Sequence, residues 1–155
     1  MRRDQASRVI RAPHRRVFEA FVNEAAIARW LPPAGARAII KEFDPRPGGA
    51  FKMTLVFDGA GRTKGKTTRN SDTVEGSFVS VIAPKLIEQE FTFVSEDPQF
   101  AGRLLVTWRL EEESDGTRVN VTATNVPAGI KVEDHRAGIA SSLSNLAAYL
   151  ETNEG

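Results

Sequence analysis

Six stretches in the middle of this chain alternate apolar and polar residues, and only one long helical segment is left to cover them. That imbalance constrains the fold more than any other feature. The clearest alternation is AFKMTLVF, residues 50–57, which puts Phe51, Met53, Leu55 and Phe57 on one side. Such a period belongs to a strand with one buried face. Residues 36–43, 73–83, 86–94, 103–111 and 117–124 also read as strands. Pro47-Gly48-Gly49 is a turn signal, and Ala83-Pro84-Lys85 and Ser114-Asp115-Gly116 turn two hairpins. Strands joined by tight turns make an antiparallel sheet. Ahead of them lie a short strand over residues 6–11 and two short helices. Pro13 opens the first helix, where its missing N–H costs nothing, and Val17, Phe18 and Phe21 form the apolar face. Asn23 interrupts it; the second helix carries Ile27 and Trp30 and stops at Pro32-Pro33.

The covering helix is DHRAGIASSLSNLAAYLE, residues 134–151, with its start placed near Lys131. Its apolar stripe is thin: Ile139, Leu143, Leu146 and Leu150, with Ala137, Gly138, Ala140, Ser141, Ser142 and Ser144 between. The sheet face it must cover holds Phe51, Met53, Leu55, Phe57, Ile87, Phe91, Phe93, Leu104, Val106, Trp108 and Leu110. A core at native density needs bulky partners for such a face. The last two helical turns supply leucines, whereas the first two supply small residues. Either the sheet comes close there or a space remains. A space beside Trp, Phe and Met, edged by a few polar groups, is how a small-molecule pocket is usually built.

Composition narrows the function classes. A chain of 155 residues suits a single domain, 1–155, with a real core. Its 21 basic and 20 acidic side chains leave a net charge of +1, which gives no electrostatic footprint for nucleic acid. The arginines at positions 2, 3, 8, 11, 15 and 16 read as a solvated basic face. The absence of cysteine excludes disulfides, cysteine-ligated zinc and thiol nucleophiles. No apolar run reaches the length of a membrane span, and MRRDQASRVI lacks the apolar region of a signal peptide. The expected compartment is the cytoplasm.

Four segments carry a resemblance. APHRRVFEAFVNEAAIARWLPP resembles the opening of START-like (SRPBCC) domains, and FDPRPGGAF resembles their Arg-x-Gly-Gly turn. VEGSFVSVIAPKLIEQEFTF resembles their Glu-Gly hairpin, and DHRAGIASSLSNLAAYLE their closing helix. The set covers nearly the whole chain in the right order. Within that superfamily the chain is most similar to homologues of the heat-shock-protein ATPase activator, grouped with polyketide cyclase-like proteins. The resemblance implies an α+β helix-grip fold of the birch-pollen-allergen kind. A curved antiparallel sheet of six to seven strands would wrap a long C-terminal helix, with two short helices after the first strand. It also implies a cavity for apolar or aromatic ligands between sheet and helix. Two departures stand out. Leu31 and Pro32 follow Trp30 where the family commonly has an aromatic and a glycine. Gly138-Ile139 replaces a common Gly-Trp pair, and the smaller Ile139 would enlarge or reshape the cavity.

Several polar motifs compete for a role. GAGRTKGKT, residues 59–67, invites a phosphate-loop reading, but the motif needs four residues before its Gly-Lys-Thr. Gly61 leaves three and Gly59 leaves five, so the segment reads as a flexible basic loop within a polar stretch over residues 58–72. Asn120-Val121-Thr122 is a chance sequon inside a strand. His14, near a helix start, is expected to be exposed. His135 shares one side of the helix with Ile139 and Ser142. It reads as a ligand hydrogen-bonding group or a general acid/base beside Glu133 or Asp134. Against that stands an exposed helix-start histidine among acids that suit the helix dipole. Glu75 either points into the cavity, where burial would raise its pKa, or pairs with a basic residue outside. Glu88 and Glu90 face solvent, whereas Gln89 falls on the apolar side and must find a partner. Trp108 reads as core. Trp30 reads as packing or as a lid near the cavity mouth.

The expected function is binding of a small hydrophobic or aromatic molecule, without cofactor, metal, nucleic acid or membrane insertion. The expected ligand-binding residues are Trp30, Phe51, Met53, Phe57, Glu75, Gln89, Phe91, Phe93, Trp108, His135 and Ile139. A cyclase-, aromatase- or hydrolase-like enzyme using the same cavity stays open, and would need Glu75 and His135 to converge as catalytic residues. A chaperone-interaction module and a homodimer stay open as well.

Overall fold

The computed structural model describes residues 2–33, 35–57 and 71–152; the basic segment over residues 59–67 lies outside them. Strand β1 (Arg3–Ile10) leads into helices α1 (His14–Phe21) and α2 (Glu24–Trp30). Six strands follow: β2 (Ala36–Phe43), β3 (Ala50–Phe57), β4 (Ser71–Ile82), β5 (Leu86–Phe93), β6 (Leu104–Glu113) and β7 (Gly116–Thr124). A single 3-10 turn, Pro98–Phe100, lies between β5 and β6, and α3 (Val132–Thr152) ends the order. The seven strands form one antiparallel sheet in the order β1-β7-β6-β5-β4-β3-β2. The sheet curves around α3, giving the α+β helix-grip architecture that the alternating strands and lone long helix require.

Local chemistry sets the ends of these elements. Asn23 caps α2 through its Oδ1, which accepts from Ala26 N–H at 3.0 Å. The turn between β2 and β3 needs its glycines: Gly48 has φ +85°, and a Cβ on Gly49 would collide with the Asp44 carbonyl. Most strand boundaries shift by a residue or two from expectation, and two of the shifts bring in an acid. The first strand starts at Arg3 rather than at position 6, and β4 starts at Ser71, which turns Asp72 from loop into strand. In both cases an acid, Asp4 or Asp72, sits buried on the inner face. An acid at such a place reads in sequence as the end of a strand.

The inner face is a set of cross-strand rows. Ala6, Val121, Trp108 and Ile87 are successive partners across β1, β7, β6 and β5. The next row is Asp4, Ala123, Val106 and Gln89, continuing to Phe78 on β4. Helix α3 runs over these rows along β1. Its start is tied to Asp4 by His135, and near its end Glu151 accepts from the Arg11 N–H. Its inner side carries Ile139, Leu143, Leu146, Ala147 and Leu150, all buried. Ser142 Oγ donates to the Leu31 carbonyl at 2.6 Å and Asn145 Nδ2 to the Pro32 carbonyl at 2.8 Å, which fixes α3 against the end of α2. The small residues Ala137, Ala140 and Ser144 do not face the sheet, contrary to expectation; at 100° per residue they fall on the exposed side. No helix among the described residues is long and apolar enough to cross a membrane.

Candidate functional site

The inner face is covered unevenly. At the end beside α1 the packing is complete. The Phe21 ring lies 4.8 Å from Trp30 and 5.0 Å from Trp108, and the two indoles meet edge-on at 5.6 Å. Trp30 is 0% exposed and its Nε1 donates to the Ala20 carbonyl at 2.9 Å. Trp30 is therefore a core residue and not a lid: none of its surface reaches solvent and its only donor is spent.

Further along the same strands the cover thins. Val106 on β6, Phe91 and Phe93 on β5, Val74 on β4, and Leu55 and Phe57 on β3 point inward yet are only half-buried. They form a band across the sheet. On one side of it lies the main core, and on the other a small cluster of Leu104, Ala123, Val126 and Ile130, with Val106 touching both. Inward residues on central strands are normally buried outright, so this band is apolar surface that the fold leaves unfinished. Gly76 shapes it from below: a Cβ there would collide with the Glu90 carbonyl, so β4 and β5 lie close, with Gly76 opposite Phe91. From above, the first turns of α3 bring His135, Gly138 and Ile139. No atom lies within 4 Å of where a Cβ on Gly138 would stand.

Two polar groups lie on the row that borders this band. Gln89 is 6% exposed, and its Oε1 accepts from Trp108 Nε1 at 3.3 Å. At the β1 end of the row, Asp4 is 1% exposed. Its Oδ2 takes Arg2 Nη2 at 2.9 Å and His135 Nδ1 at 2.6 Å. Arg2 also donates to the Pro127 and Ile130 carbonyls. Burial by itself would raise the Asp4 carboxyl. The hydrogen bonds and positive charge of Arg2 and His135 outweigh it and hold the group below the usual aspartate range. The three side chains clamp the chain before α3, and its first turn, onto β1.

The other expected site residues divide between band and core. Phe51, Met53 and Trp108 are buried in the main core, and Phe51 stacks edge-on with Phe43, Phe78 and Phe91. Ile139 is buried in the main core, against which Val106, Phe91, Val74 and Leu55 of the band pack. Glu75 is not in the interior. Val74, Gly76 and Phe78 take the inner side of β4, so Glu75 must face out, where it is exposed and meets Lys52 Nζ at 3.1 Å. Glu75 and His135 therefore do not converge, and the acid–base pair that an enzymatic reading needs does not form. His14 is not free either: its Nε2 donates to the Leu110 carbonyl at 2.7 Å. No metal-ligating group of three His, Asp or Glu side chains occurs among the described residues.

Sequence reasoning missed Asp4 and Arg2, since it began the first strand at position 6 and read the N-terminal arginines as a solvated face. Extending the alternation of Ala6 and Ile10 back to Asp4 could have found it, but only its partner 131 residues away makes a buried carboxylate tenable there.

Comparison with known proteins agrees with this architecture. The family model described as "Activator of Hsp90 ATPase homolog 1-like protein" matches residues 11–151. A crystal structure of a protein from Chromobacterium violaceum is similar, with TM-score 0.85 and 27% identity over 97% of this chain and 99% of that one. A protein from Rhodobacter sphaeroides gives TM-score 0.80 at 16% identity, over 98% and 93% of the two chains. The solution structure of an AHSA1-like protein from Aeromonas hydrophila gives 0.71 at 20% identity, over 97% and 93%. No curated protein matches the chain.

Proposed function

The chain belongs to the Activator of Hsp90 ATPase homolog 1-like family, and from that premise we propose that it binds a small apolar or aromatic molecule against the half-buried band, beneath the first turns of α3. One observation carries the reading: Val106, Phe91 and Val74 point inward from central strands and still reach solvent. Apolar surface left in water forgoes roughly 25 cal/mol per Å², which a ligand covering it would recover. A Cβ on Gly138 would meet no atom within 4 Å, so the start of α3 carries no bulk at that position. The half-buried aromatic rings Phe91 and Phe93 favour a flat or aromatic ligand, since ring edges and faces add to plain burial.

The test is native mass spectrometry of freshly purified protein, repeated after denaturing extraction. A bound small molecule is expected on the native protein and absent after extraction. Ile139→Trp adds bulk in the first turns of α3 and is expected to lose that molecule while the circular dichroism spectrum stays that of the folded chain. Empty protein, combined with no thermal shift from a panel of apolar and aromatic compounds, would overturn the reading.

A further inference from the structure

The side chain of Gln89 fixes what kind of small molecule the band would take. Gln89 stands in the middle of the inner face, with Val106 opposite it on β6 and Phe78 opposite it on β4. An indole N–H donates and cannot accept, so the amide atom facing Trp108 is the oxygen. That contact removes the usual ambiguity between the oxygen and nitrogen of a glutamine. The NH2 then occupies the other branch of the amide, turned away from the indole.

Neither N–H of that group has a hydrogen-bond partner among the described residues. Yet no fully enclosed side-chain nitrogen or oxygen among them lacks a partner. Both hold only if the NH2 borders open space, although Gln89 as a whole is 6% exposed. Two donors that barely reach the surface, in an apolar surround, are under strong pressure to find an acceptor. The group is also held in place. Trp108, which grips its oxygen, is itself packed against both Phe21 and Trp30. The indole N–H further polarises the amide and makes its free N–H groups better donors.

We propose that the Gln89 NH2 is the polar anchor of the ligand, and that the ligand is an apolar molecule carrying a neutral acceptor oxygen, such as the carbonyl of a ketone, ester or amide. The inference rests on the reading that the band binds a small apolar molecule, and names its chemical class. A carboxylate fits less well, because Gln89 brings no positive charge to offset the loss of its hydration. The Arg2 charge at the other end of the row is already paired with Asp4.

Acetophenone and ethylbenzene share a ring and nearly a shape, and differ in one carbonyl; the corresponding naphthyl ketone and hydrocarbon form a larger pair. Each is titrated into the full chain while the side-chain amide signals of Gln89 are followed in proton–nitrogen correlation spectra. The ketone is expected to bind about tenfold more tightly than its hydrocarbon partner, and only the ketone is expected to move the Gln89 NH2 signals downfield. Gln89→Glu keeps an oxygen for Trp108 and removes the NH2, so the ketone preference is expected to vanish while the hydrocarbon still binds. Equal affinities with unmoved Gln89 signals would overturn the inference and leave the binding reading standing. Failure of both pairs to bind at all would overturn the two together. The spectra of the unaltered chain decide the matter even if the variant folds poorly.

Discussion

The two ends of the inner sheet face are built from the same kinds of residue and are finished differently. Beside α1, Phe21, Trp30 and Trp108 interlock, and Ile87, Leu110 and Val119 are buried around them. Toward the start of α3, Phe91, Val74 and Val106 point the same way from the same sheet and remain half-open. The sheet does not cause the difference: both regions are paired antiparallel, and the one register shift between β4 and β5, at Phe78/Ser80, lies outside the half-open stretch around Val74 and Gly76. Its cause is the cover. Two short helices and the leucines of α3 lie over one end, whereas His135, Gly138 and Ile139 lie over the other. What aromatic packing does at the first end, the polar clamp of Arg2 and His135 on the buried Asp4 does at the second. It holds the start of the helix against β1 through hydrogen bonds in place of bulky apolar contacts.

The largest effect should come from truncating each end in turn. Trp30→Ala removes a fully buried indole and leaves the Ala20 carbonyl without its donor. It is expected to cost about 3–5 kcal/mol, enough to threaten folding of a domain of this size. Phe91→Ala removes a ring already partly in water and should cost about 1–2 kcal/mol. Urea midpoints of ligand-free protein check both values. Equal losses would show that Phe91 is core after all, and the contrast between the two ends would collapse.

A smaller effect is expected at the charged clamp. Asp4→Asn should cost about 2–3 kcal/mol at neutral pH. That is less than the about 3–5 of a fully buried pair, because Arg2 and His135 keep some contact with water. The pH dependence has a definite sign. The Asp4 carboxyl is held below its ordinary value of 3.8, so its contribution is complete above that value and is lost as pH falls through the lower folded value. Unaltered protein should therefore lose in acid a component that Asp4→Asn never had. Denaturation midpoints of the two proteins should converge as the pH drops below about 3.8; a constant gap would mean that the clamp is not electrostatic.

Much of this fold was legible because alternation reports direction. Phe51, Met53 and Leu55 had to share a side of β3, and one helix had to cover that side. The same rule places Glu75 outside with Lys52, once Val74 and Phe78 set the phase of β4. Direction is not coverage, however. Nothing in the pattern of Val106 distinguishes it from Trp108 two residues on, although one is half-open and the other buried. That difference depends on which part of α3 lies overhead, and so on contacts between residues far apart in the chain. Gln89 was visible as a polar intruder on an apolar face. The direction of its NH2 depends on Trp108, which sequence alone does not bring to it. The small residues of α3 misled for a related reason. Counted together they suggest a gap, but Ala137, Ala140 and Ser144 face solvent, and of the four only Gly138 is even half-buried.

Gly138 gives the smallest effect, and the one that most directly sharpens the contrast between the ends. A glycine inside a helix costs about 1 kcal/mol relative to alanine, through the backbone freedom it gives up on folding. Ala147, on the same helix over the packed end, is buried and has no room to grow. At Gly138 a Cβ would meet nothing within 4 Å, so Gly138→Ala should stabilise the chain by about 0.5–1 kcal/mol, read as a higher urea midpoint. A ligand held beneath the first turns of α3, as proposed, would meet the same methyl group. Binding of an apolar compound should therefore weaken in the very variant that folds more tightly. A stabilised variant with undiminished binding would place the ligand away from α3. A destabilised one would mean that the helix is already as close to the sheet as its backbone allows, and that the two ends differ less than their exposure suggests.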